Sequence, residues 1–230
     1  MILRVLLNGA YTSGEKLAII LPQIAAVLVI IFLILPLHEW AHGFVAHKLG
    51  DDTAKREGRL TFNPIASIDP IGVLFILLFG FGWAKPVPIN PNNFKHRRSG
   101  MALTALAGPV SNLVAALVGA FVYVGVFVLT KGDAPSWVYY CFQYYISINV
   151  SLAVFNLLPL PPLDGSKIVG AFLSPKMEMQ YYKYQRFIIP IVFILLFSGV
   201  MTGPLNVVQD AFLNGILWLA QLPFRWFGAL

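Results

Sequence analysis

Long stretches of this chain carry no charged side chain at all. Residues 17–37 read LAIILPQIAAVLVIIFLILPL, and residues 99–130, 134–163 and 187–209 are likewise free of Asp, Glu, Lys and Arg. A helix needs about 20 mostly apolar residues to cross the hydrocarbon core of a bilayer. Within that core only helices and closed barrels satisfy their own backbone groups. The composition agrees, with 58% hydrophobic residues, 11% charged residues and a mean hydropathy of +0.75. Soluble domains carry about 25% charged residues, so too few charges remain here to solvate a surface. Disorder, collagen-like repeats and a soluble enzyme fold are excluded together. The chain is that of a membrane protein.

The lone Cys141 rules out an internal disulfide framework and a cysteine-clustered metal site. The net charge of +6 comes from basic residues in short loops between apolar runs. Such loops set orientation in a bilayer. The partner they imply is therefore the lipid bilayer, not nucleic acid.

Run 17–37 is long for the apolar region of a signal peptide and lacks a small-residue cleavage site, so it reads as a retained helix. Residues 70–84 (PIGVLFILLFGFGWA) are short for a span and rich in Ile, Phe, Val and Gly. They read as part of a membrane-associated β-hairpin or re-entrant segment over about 56–90, leaving through Pro86, Pro88 and Pro91. Charge asymmetry favours that choice. Lys48, Lys55, Arg56, Arg59, Lys85, Lys95, Arg97 and Arg98 flank this piece, whereas the turn at 131–136 holds only Lys131 among basic residues. If 70–84 does not cross, the dense basic loops share one face, which the positive-inside rule makes cytoplasmic. The expected fold is an all-α polytopic membrane protein with four to five transmembrane helices, the first running inward. The last stretch, 205–230, is left open as a span or an interfacial helix. A single domain is expected over 1–230.

An ionisable side chain at membrane depth is a functional hypothesis by default. His38, Glu39 and His42 close the first apolar run as H-E-x-x-H. On a helix the i and i+4 imidazoles point the same way, so both reach one Zn²⁺, with the glutamate beside it as a proton acceptor. The bland alternative is capping polarity at a helix end. His47 is turned away from that face and reads as interfacial, and His96 belongs to a basic loop. Asp69 sits beside the re-entrant piece. A catalytic zinc usually takes three protein ligands. Asp164 is the best third ligand: it follows NLLPLPPL, whose prolines break the helix and let the chain bend. Alone, Asp164 reads nearly as well as the cap of a following helix; an unsatisfied HExxH tips the balance towards ligation.

HEWAHG in an apolar helix, GFGWAKPVPINP and a distal NLLPLPPLDG, in that order, resemble the site-2 protease family of intramembrane zinc metalloproteases. The resemblance covers about residues 20–175. It implies that His38, His42 and Asp164 ligate Zn²⁺, that Glu39 is catalytic base and acid, and that Asn156 contacts the substrate backbone or helps hold the oxyanion. It also implies a transmembrane protein substrate and a cell-membrane enzyme whose site opens to the cytoplasmic side. Leu106–Asn112 (LAGPVSN) resembles the family's A-G-P-x-x-N element, although tight packing at small residues with a polar helix contact is the favoured role for Asn112. There is no room for a PDZ domain between the motifs, and the stretch after 201 is short for a CBS pair. The likeness is thus to the minimal, stand-alone subgroup. The rival reading is a non-catalytic pseudoprotease that binds membrane helices. Glu39 weighs against it, since metal binding does not require that residue.

Overall fold

A computed structural model describes residues 2–79, 82–198, 202–226 and 228. A short helix α1 (Ile2–Leu7) precedes one continuous helical rod, Ser13–Lys48. Thr12 starts the rod with a capping box: its hydroxyl accepts from the Glu15 N–H at 3.3 Å and its own N–H donates to the Glu15 carboxylate at 2.8 Å. The rod consists of α2 (Ser13–Val29), a π-helical turn (Ile30–Ile34) and α3 (Leu35–Lys48). In the π turn the Leu35 N–H reaches back to the Ile30 carbonyl. π turns are rare and often lie next to functional sites. This one falls just before the H-E-x-x-H residues of α3.

Short helices α4 (Thr53–Arg56), α5 (Pro64–Ser67) and α6 (Pro70–Phe79) follow, and a 3₁₀ turn, Pro91–Asn93, leads into α7 (Arg97–Leu129). α7 turns back through Lys131 and Gly132, both at positive φ, into α8 (Ser136–Asn156). α9 (Asp164–Gly170), α10 (Pro175–Lys183), α11 (Gln185–Phe197) and α12 (Thr202–Trp226) complete the order. α3 packs on α7, α2 packs on α8, and α12 covers α7 and α8. One core joins Val27, Ile30 and Ile34 to Ile76 and Ile148, and a second joins Ala116, Ala120 and Val150 to Ile216.

The all-helical membrane architecture stands. Among the described residues, two helices are long and apolar enough to cross a membrane: Ser13–Lys48 and Arg97–Leu129. α8 carries a fully buried Asn149 and packs against α2, α7 and α12.

The β-hairpin expected over 56–90 is not there: the described residues of this stretch contain no strand. Local capping overrides β propensity. Pro70 takes the first helical position, and the Asp69 carboxylate accepts from the Ile71 and Gly72 N–H groups at 3.0 and 2.9 Å. Asp69 is therefore a helix cap. The returning segment 82–90 is extended but cannot build a ladder, because Pro86 and Pro88 have no N–H to donate. Gly80 and Phe81, part of the sequence-predicted hairpin, lie outside the described residues.

Candidate metal centre

α3 brings His38 and His42 to one face one turn apart, as the i, i+4 spacing predicts. α9 supplies Asp164 from its first residue. Three prolines between 159 and 162 end the preceding helix, and Gly165 lets α9 dock on it. A Cβ at Gly165 would run into the Leu157 and Leu158 carbonyls. His38 Nε2 and His42 Nε2 lie 3.1 Å apart, and Asp164 Oδ2 lies 3.3 and 3.1 Å from them. All three side chains are buried. Asp164 thus presents its carboxylate to the histidines, and the helix-cap alternative does not describe it.

Three near-equal separations between two imidazole nitrogens and a carboxylate oxygen fit one zinc ion. Ligands at about 2.0–2.1 Å in a tetrahedral arrangement sit about 3.3 Å from one another. The far side of each imidazole is occupied as a ligand requires. His38 Nδ1 lies 2.9 Å from Asn112 Oδ1, and His42 Nδ1 lies 2.7 Å from the Thr104 carbonyl. With those nitrogens donating, both Nε2 lone pairs face the shared space. The α7 backbone can come this close because residue 108 is glycine: a Cβ there would collide with both imidazoles. Asp164 Oδ1 accepts from Lys167 Nζ at 3.1 Å, which leaves Oδ2 for the metal.

Glu39 is buried beside this group without joining it, and its Oε2 accepts from the Val87 N–H at 2.7 Å. Asn156, the last residue of α8, donates from Nδ2 to the Leu152 carbonyl at 3.0 Å. His38, Glu39, His42, Asn156, Asp164 and Lys167 all line one cavity of about 520 Å³. His47 is elsewhere, paired with Asp52 at 2.5 Å, and His96 sits exposed at the start of α7. The structure therefore brings together His38, Glu39, His42, Asn156 and Asp164, whereas Asp69 caps α6 and does not line the cavity. It adds Lys167, the Thr104 carbonyl, the Val87 N–H and a ligand-holding role for Asn112. Of these, A-G-P-x-x-N was the one visible signal.

Fold and site together define a class: a helical membrane protein with a buried two-histidine, one-carboxylate metal centre and an adjacent glutamate. Known proteins narrow it. The sequence profile of peptidase family M50 matches residues 123–199, which include Asp164 and Asn156. The chain is 40% identical over 205 residues to "Putative zinc metalloprotease YwhC" of Bacillus subtilis, covering 85% of this chain and 91% of that one. It is 29% identical over 173 residues to "Putative zinc metalloprotease Rip2" of Mycolicibacterium smegmatis, covering 72% and 64%. It is 31% identical over 134 residues to "Putative zinc metalloprotease MJ0611" of Methanocaldococcus jannaschii, covering 57% and 62%. The chain belongs to peptidase family M50, the site-2 protease family. Zinc is the metal in the names of these relatives, and the donor set here fits it. No solved structure matches the chain.

Proposed function

We propose that this protein is an intramembrane zinc metalloprotease, one domain over 1–230, that hydrolyses peptide bonds within or near the transmembrane helices of membrane protein substrates. The observation that carries the reading is Glu39: a carboxylate on the wall of the metal-site cavity that is not itself a ligand. Metal storage or structural zinc has no use for it. Hydrolysis does.

His38, His42 and Asp164 would hold the zinc, which when bound supplies Lewis acidity towards water and the scissile carbonyl. Glu39 takes a proton from the attacking water and returns it to the departing amide nitrogen. Asn156 is a neutral donor suited to a developing oxyanion, once its amide leaves the Leu152 carbonyl. The substrate helix must unwind locally, because intact helical hydrogen bonds hide its carbonyls. In the membrane, α2–α3 runs inward, α7 outward and α8 inward. α12, with 25 residues, has the length for a fourth crossing, and α6 re-enters without crossing. The site then faces the cytoplasmic side.

The test is Glu39→Gln in detergent-purified protein. About one zinc per chain should remain, while cleavage of a transmembrane peptide disappears. Equal cleavage by the variant, or a wild type that lacks zinc when purified without chelator, would favour the pseudoprotease.

A further inference from the structure

The base needs a fixed orientation, and the structure supplies it from an unexpected source. Residues 85–88 read Lys-Pro-Val-Pro, so between Lys85 and Ile89 Val87 has the only backbone N–H. That N–H donates to Glu39 Oε2 at 2.7 Å in a buried setting. The segment holding it is tied down on several sides. The Lys85 N–H donates to the Ser67 carbonyl at 2.8 Å. The Arg59 guanidinium donates to the Lys85 and Pro86 carbonyls at 3.0 and 3.2 Å. Gly43 of α3 leaves a shelf for the Val87 side chain, since a Cβ there would stand 3.3 Å from it.

We propose that the Val87 amide, strapped in place by Arg59, is the positioning group for Glu39 in the reaction, an inference that rests on the proteolytic reading above. A hydrogen bond to an ionised carboxylate is among the stronger ones available. It holds Oε2 and leaves Oε1, which accepts no hydrogen bond among the described residues, as the oxygen free to take the proton. The two prolines remove competing donors and preset an extended backbone, so a single N–H is delivered to a single oxygen. The same facts bear on substrate capture. With the Val87 and Lys85 N–H groups committed, and no N–H on Pro86 or Pro88, the segment has no free backbone donor from Lys85 to Pro88 to offer an incoming strand. The base and the cavity wall are thereby one mechanical unit.

The experiment compares wild type, Val87→Ala, Val87→Pro and Arg59→Met, all full length in detergent, for zinc content and for kcat and KM on a transmembrane peptide. Val87→Ala keeps the N–H and tests the side chain's packing on Gly43 by itself, so it should lose much less kcat than Val87→Pro. Val87→Pro removes the donor and keeps a small apolar side chain in an already proline-flanked segment; zinc should remain while kcat falls on the order of 100-fold, the scale of a misplaced catalytic group. Arg59→Met, which lines no part of the cavity, should hold zinc and lose several-fold in kcat with little change in KM, and Arg59→Lys should recover part of it. A zinc-loaded Val87→Pro with wild-type kcat overturns the inference. Should Val87→Pro fail to bind zinc, Arg59→Met decides, and an unchanged kcat there overturns it equally. A wild type that cleaves no better than Glu39→Gln would instead sink the proteolytic reading itself.

Discussion

A histidine at the inner end of an apolar helix is expensive unless both ring nitrogens are used, and His38 and His42 show how that is arranged. Each gives its Nδ1 proton to α7, through Asn112 and the Thr104 carbonyl, and turns Nε2 to the shared centre. Asp164 has the same two-sidedness, with Oδ2 towards the histidines and Oδ1 on Lys167. Lys167 should therefore tune the metal without touching it. Lys167→Met should weaken zinc binding by about 10- to 100-fold in a chelator competition, the usual scale for losing an outer partner of a ligand, and Lys167→Arg should restore most of it. Equal affinity in Lys167→Met would show the ion pair to be incidental. H-E-x-x-H and Asp164 were legible in the sequence because ionisable groups stand out against charge-free runs. Lys167 was not: a lysine three residues past an aspartate is ordinary text until the turn at 159–163 places both at the cavity. The Val87 and Thr104 groups are backbone atoms, which no residue-type pattern reports.

The elements meet through one small-residue face of α7. Ala105, Gly108, Asn112, Ala116 and Gly119 are all on it, and a Cβ at Gly119 would strike the Tyr145 ring of α8. Close backbone approach is what holds helices together where lipid is as apolar as any side chain. Gly119→Leu should destabilise the protein by about 1–3 kcal/mol, the cost of overpacking, read as lower thermal stability in detergent; no change would mean that α8 is free to shift. A second junction joins the end of α3 to the start of α7. Asp51, with no exposed surface, accepts from the Thr53 hydroxyl and N–H, the Asn93 amide and the Asn90 N–H. Burial works against its charge, but these hydrogen bonds outweigh it and hold the carboxyl below its usual range. A depressed folded value means that the stabilisation is complete above the unfolded carboxylate's value of about 3.9 and is lost as pH falls below it. Asp51→Asn should unfold more easily than wild type at pH 6, with the gap narrowing towards pH 3. A gap independent of pH would place the effect elsewhere. The hairpin expected over 56–90 failed at this scale for a stated reason: Ile, Phe and Val suggested strand, yet Asp69 and Pro70 form a helix start, and tertiary context decides β propensity.

At the scale of the whole molecule, these two ties bear on how the chain lies in a bilayer. Asp51 and Asn93 pin together the two ends of the basic stretch 48–98, so whatever lies between them leaves and returns on one face. α6 has ten residues and spans about 15 Å, half of a hydrocarbon core of about 30 Å. It can dip into the membrane but cannot cross it. On the proposed topology, Lys48, Lys55, Arg56, Arg59, Lys85, Lys95, Arg97 and Arg98 would share one side and Lys131 would mark the other. Charge asymmetry favours the same arrangement, and the orientation is open to a direct test. In a Cys141→Ser background, Lys131→Cys should react with a membrane-impermeant maleimide added to intact cells, and Lys95→Cys should react only in inverted vesicles. Labelling of Lys95→Cys from outside would reverse the orientation. Labelling of both from one side would mean that α7 does not cross, although among the described helices it is one of the two that are long and apolar enough to do so. The expected pattern would put α3 with His38 and His42, and the start of α9 with Asp164, nearer the cytoplasmic side, the side from which the proposed reaction would draw its water.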